Sequence, residues 1–199
     1  MVPSLAGRQK QGWDRFLQQN RNPMLQRLFR TSANRRVIDS IHAGIVAAAR
    51  QPALFLDYGV PDSLAGRFEL LTLHAALVLR AMRAAPMPGP AMAQDLADAV
   101  FRHLDRALRE MGVGDLTVPK RIKSFAGDFV GRCAAYAAAL DVTDATVLEA
   151  TLKRNVYAPG EGDVERLARY TRHVEARLRA MPAGRLTEPG LFPAAANCA

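Results

Sequence analysis

The sequence predicts an all-α protein: a single-domain bundle of about six to seven helices around a central apolar helix at about residues 65–84. Three observations lead there. Apolar residues recur at helical spacing along most of the chain, and no segment alternates with period two over strand length. The 12 prolines and 14 glycines fall mostly between those periodic segments, as punctuation. Finally, Phe68, Leu70, Leu71, Leu73, Leu77, Val78, Leu79 and Met82 cannot share one stripe, so their helix is apolar nearly all round and is either central or membrane-spanning. Glu69 and Arg80 leave ten residues between them, against the roughly 20 that a bilayer core needs. The run is therefore the buried axis of a helical domain.

At 199 residues the chain is long enough for one domain with a substantial core. Its 49% apolar and 23% charged composition is that of a globular rather than a disordered protein. No secretory h-region is visible near Met1. Cys133 and Cys198 lie far apart without metal-ligand spacing, which reads as two free thiols. The net charge of +8 is concentrated in front: residues 1–50 hold nine Lys/Arg against Asp14 and Asp39, and the remainder is nearly balanced. Such a leader attracts polyanions, whether RNA or an anionic membrane surface.

Residues 1–33 read as a basic arm with a short amphipathic helix, in which Met24, Leu25, Leu28 and Phe29 oppose Arg27 and Arg30. Its arginines and low acidity also resemble a mitochondrial targeting segment, against which stand few serines and Pro23. Residues 34–182 form the helical domain and 183–199 an irregular tail. A helix from about Asn34 to Ala49 turns Val37, Ile38, Ile41, Ile45 and Val46 inward. Tyr58, Gly59, Pro61 and Asp62 make a turn before the central helix. A Pro-rich loop is expected from Ala84 to Met92, then a helix over Asp95–Met111 ended by Gly112. Pro119 opens the next helix; Thr143 is expected to cap another that buries Val147, Leu148 and Leu152; Asp163–Met181 forms the last.

The candidate chemistry is sparse. Asp39 and His42 share a carboxylate-x-x-His spacing, but a di-metal bundle needs two such motifs and further carboxylates. His74, within the apolar run, reads as a core imidazole bonded to a carbonyl. Gly112–Arg121 superficially suggests a phosphate nest, yet a helix precedes it where a strand is required. Lys120, Arg121 and Lys123 form a basic cluster that is either a docking patch or a solvated helix end. Cys133 lies on an apolar face, as inert packing. No Ser/His/Asp elbow, HExxH motif or paired-carboxylate cleft is recognisable. The residues thus favour a binding protein over an enzyme, with no cofactor implied.

Three stretches, DYGVPDSLAGRFELLTLHAALVLRAM, MGVGDLTVPKRIKSFAGDFVGR and LEATLKRNVY, resemble the ubiquinol–cytochrome c chaperone family, over roughly Ala53 to Met181. Its PD-turn and FxLLxLH signature falls on Pro61, Asp62, Gly66, Arg67, Phe68, Leu70, Leu71, Leu73 and His74. Its MGV connector falls on Met111, Gly112 and Val113, and the basic helix start on Lys120 and Arg121. The resemblance implies a non-enzymatic assembly chaperone for the cytochrome bc complex that binds newly made cytochrome b, near the ribosomal tunnel exit in mitochondria and alongside a small partner protein there. The residues point to no such partner here. The short N-terminal region favours a bacterial member, cytoplasmic and peripheral to the inner membrane, or on the matrix side if mitochondrial.

On this reading Phe55, Asp57, Tyr58, Pro61, Asp62, Arg67, Phe68, Met111 and Val113 are the candidate client contacts. Arg27, Arg30, Arg35, Arg36, Lys120, Arg121 and Lys123 are candidates for docking to a ribosome or an anionic membrane. Phe55, Tyr58, Phe68, Phe125 and Phe129 either rim a groove beside the central helix, in helix-in-groove fashion, or are ordinary core. Phe55 and Tyr58, in the turn, are the ones expected to be exposed. An RNA-binding or peripheral membrane-binding helical module is the alternative.

Overall fold

The computed structural model describes residues 32–110, 118–157, 160–182, 185, 186, 188 and 190–198. Among these the regular elements are helical: α1 Ser32–Ala49, α2 Pro52–Leu56, α3 Leu64–Ala84, α4 Gly89–Glu110, α5 Val118–Leu140, α6 Ala145–Val156 and α7 Val164–Ala180, then one 3-10 turn at Ala195–Asn197. The all-α class is borne out. α3 is the axis, packed against α1, α4, α5, α6 and α7. Every residue from Phe68 to Leu79 is buried, on all sides of the helix.

Local chemistry explains the ends of these helices. Ser63 has extended backbone angles and its hydroxyl accepts from the Gly66 amide at 3.1 Å, an N-cap that starts α3. Pro61 packs so closely over this first turn that a Cβ at Gly66 would overlap its carbonyl oxygen. Asp144, not Thr143, caps α6, accepting from Thr146 N at 3.0 Å. A carboxylate accepts strongly from an amide at the positive end of a helix dipole, and Asp144 sits at the position where its oxygen reaches that amide. Asp163 does the same for α7 through Arg166 N at 2.8 Å.

Two further expectations need correction. The loop after α3 is shorter than Ala84–Met92, because α4 starts at Gly89 and takes Pro90 into its first turn, where a missing N–H costs nothing. Val147 is 38% exposed; Leu148, Thr151 and Leu152 carry the inward face of α6. Among the described residues of the tail, Leu186, Leu191 and Ala195 are buried in the common core. Gly112 and the glycine-rich connector lie outside the described residues.

Candidate functional site

The turn between α2 and α3 is built from the backbone outward. Val60 N donates to Leu54 O at 3.1 Å, folding the chain back on α2, and Ser63 N donates to Pro61 O at 2.8 Å. Gly59 takes φ +68°, a left-handed angle available at little cost only to glycine, and a Cβ there would come within 3.1 Å of Gly162 Cα. The Tyr58 carbonyl accepts from Asp163 N at 3.0 Å and from the Tyr157 hydroxyl at 3.0 Å, which fastens the turn to the start of α7. The Arg166 guanidinium lies 4.5 Å over the Tyr58 ring and donates to Asp57 O at 3.4 Å. Four contacts from Tyr157, Asp163 and Arg166, with the backbone bonds at Val60 and Ser63, hold this turn in one shape.

What the turn presents outward is Leu56, Asp57, Pro61, Asp62, Leu64 and Arg67, all exposed. Leu56 is 81% and Leu64 54% exposed, the two most accessible large apolar side chains of this region. Asp62 and Arg67 pair at 2.7 Å, and that bond holds the Asp62 carboxyl below the usual carboxylate range. Both partners are more than half exposed, so the pair shapes the turn more than it stabilises it. Leu56 and Leu64 are the residues the sequence reading missed. Their signal was position: Leu56 is the last residue of α2 and Leu64 the first of α3, terminal turns where an apolar side chain runs beyond the core it should join.

Beneath the turn the expectations fare differently. Tyr58 is fully buried, contrary to its expected exposure. Its hydroxyl lies 2.8 Å from both the Ala195 and Cys198 carbonyl oxygens, and donates to one at a time. A Tyr in a Pro/Gly turn is drawn inward when distant backbone acceptors satisfy its hydroxyl. Phe55 is half-buried against the core. Phe68 and Phe129 are buried, Phe68 against Phe125 with ring centroids at 4.9 Å and Phe129 edge-on to Phe101 at 5.3 Å. Tyr58, Phe68 and Phe129 are core, and Phe55 and Phe125 are partly buried against it.

Placement of the basic candidates is uneven. Arg35 and Arg36 are exposed on α1. Lys120, Arg121 and Lys123 lie in the first turns of α5, their side chains outside the described set, while Arg27, Arg30, Met111 and Val113 fall outside the described residues altogether.

Two buried polar groups anchor the axis. His74 Nδ1 lies 2.8 Å from Leu70 O and Nε2 2.8 Å from the Tyr170 hydroxyl. The carbonyl can only accept, so Nδ1 carries the proton and Nε2 accepts from Tyr170. Burial pushes the His74 pKa down to about 4. Its expected role as a carbonyl-bonded core imidazole is borne out. Glu69, 5% exposed, is clasped by Arg132 Nε at 2.5 and 2.6 Å, and Arg132 lies 6.0 Å over Phe68. Burial outweighs the arginine and pushes Glu69 up to about 7. His42 packs on His103 at 5.0 Å between α1 and α4, and burial and its cationic neighbours push His42 down to about 4. Burial also pushes the Cys133 thiol far up, leaving it protonated. Among the described residues no three His, Cys, Asp or Glu gather as metal ligands, and no helix is long and apolar enough to cross a membrane.

The described chain is thus an all-helical body carrying a pinned, apolar-flanked turn, with no metal-ligand cluster among its described residues. The chain belongs to the ubiquinol–cytochrome c chaperone family, whose model matches residues 56–191. Its fold is similar to that of the Cbp3 homolog from Brucella abortus, with 37% sequence identity and a TM-score of 0.77 over 88% of this chain and 99% of that one. No curated protein sequence matches. The matched span begins at Leu56, on the exposed turn itself.

Proposed function

We propose that this chain is a non-enzymatic chaperone that holds newly made cytochrome b and passes it into the ubiquinol–cytochrome c reductase complex. The observation that carries the reading is the α2–α3 turn, at the start of the family match, with Leu56 and Leu64 exposed on a frame pinned from beneath. Exposed leucines on a pre-organised support suit the apolar helices of a multi-spanning client, because ordering the site costs little on binding. Asp57, Pro61, Asp62 and Arg67 surround them as the polar rim. Tyr58 anchors the turn from below, while Phe55 and Phe68 pack into the core. Met111 and Val113 join the contact by family resemblance alone. Arg27, Arg30, Arg35, Arg36, Lys120, Arg121 and Lys123 dock the chain to a ribosome or to the anionic inner face of the membrane, keeping it peripheral and cytoplasmic in a bacterium.

Photoreactive side chains at positions 56 and 64 test this during synthesis of cytochrome b. Crosslinks are expected there and not at Met87, an equally accessible apolar residue (73% exposed) just past the far end of α3, on the order of 30 Å away along a helix of this length. Equal labelling at Met87 marks mere stickiness and refutes the site.

A further inference from the structure

The segment 190–198 lies in a groove between α2, α3 and α7, and the way it is held resembles the capture of a foreign peptide. Gly190, at φ +85°, turns the chain into the groove, with its carbonyl 3.3 Å from Arg177 Nη2. Leu191 and Ala195 are buried, and Phe192 meets the His74 ring edge-on at 5.1 Å. The Gln51 side-chain amide donates to Pro193 O at 3.3 Å and accepts from Ala195 N at 2.6 Å. The Tyr58 hydroxyl reaches the carbonyls of Ala195 and Cys198. Gln51 and Tyr58 therefore read main-chain groups of the segment, whatever its side chains, while the walls accept small and apolar residues.

The hold is also shallow in backbone terms. Within the segment, among the described residues, the main-chain bonds are those of the 3-10 turn, Asn197 N to Ala194 O and Cys198 N to Ala195 O. Among the described residues no backbone–backbone bond joins it to a helix, so its release breaks side-chain hydrogen bonds and packing but no helical ladder.

We propose that this groove is a binding site for a short apolar polypeptide segment, and that residues 190–198 are a built-in occupant which such a segment displaces. A tethered occupant acts at an effective concentration of roughly millimolar, so it screens out weak ligands and yields to tight ones. That the displacing segment belongs to cytochrome b rests on the function proposed above; the groove itself does not.

The test uses the full chain and the strap-side variant Leu191→Ser, Phe192→Ser, which leaves the groove walls intact. The probe is a fluorescent synthetic peptide of residues 190–197, with a scrambled peptide as control. The variant is expected to bind it at least tenfold more tightly than the unaltered chain, and the scrambled peptide weakly in both. Equal affinity for the two proteins, or no binding to either, overturns the proposal. Hydrogen exchange on the unaltered chain guards against a misfolded variant: the Ala195 amide is expected to exchange at least a hundredfold faster than that of Leu73. Equal protection of the two means the segment opens only with global unfolding, and likewise overturns it. If the peptide binds the variant while cytochrome b binds neither form, the groove stands and the chaperone reading falls. If cytochrome b is captured while peptide affinity ignores the strap, the groove falls alone.

Discussion

His74 is fixed as one neutral tautomer between Leu70 O and the Tyr170 hydroxyl, and two predictions follow from that geometry. Tyr170→Phe leaves a buried ring nitrogen without a donor and is expected to cost about 1–3 kcal/mol in urea unfolding. The second concerns pH. His74 titrates at about 4 when folded and near its ordinary value of 6.5 when unfolded, so between those values the unfolded chain binds the extra proton. Stability is therefore lost as pH falls from about 6.5 toward 4, by on the order of 2 kcal/mol between pH 7 and 5 from this residue. Glu69 has the opposite sign. Its folded pKa is raised to about 7 from 4.5, so its contribution is present at low pH and lost as pH rises through 7. Glu69→Gln removes that offset, and the acid-side loss measured by urea midpoints at pH 7 and 5 is expected to steepen. A shallower slope in the variant contradicts the assignment.

At the scale of elements, the first turn of α3 depends on a missing side chain. Gly66→Ala drives a methyl group into the Pro61 carbonyl and is expected to destabilise by about 1–3 kcal/mol, with loss of the turn's shape visible in the amide spectra of residues 57–63. Asp163→Ala removes the cap of α7 at about 1 kcal/mol and loosens the same turn from its other side. These elements also show what was legible in the sequence. The axis α3 stood out because an all-round apolar run flanked by charges has one soluble solution, and α1, α5 and α7 followed from clean helical spacing. The start of α4 did not, since Pro90 reads as a breaker and is in fact a first-turn residue. Tyr58 was misread because its acceptors lie 137 and 140 residues away in sequence. Leu191 and Ala195 hid for the same reason, behind prolines that signal irregular backbone but say nothing about burial.

At the scale of the whole molecule, the two ends of the axis are held in different ways. At the far end, Arg80 pairs with Asp141 at 2.5 Å and Glu175 at 3.4 Å, tying α3 to the end of α5 and to α7. At the near end the α2–α3 turn is fastened to α7 and offers Leu56 and Leu64 outward. Stability and the proposed client contact are thereby separable, which makes the central claim testable without unfolding the protein. The most direct measurement is the amount of assembled ubiquinol–cytochrome c reductase in cells whose only copy of this chain carries Leu56→Asp and Leu64→Asp. The chain is expected to accumulate normally and melt as before, while cytochrome b and the assembled complex fall at least fivefold. Normal levels of the complex alongside a stable, folded variant would contradict the account.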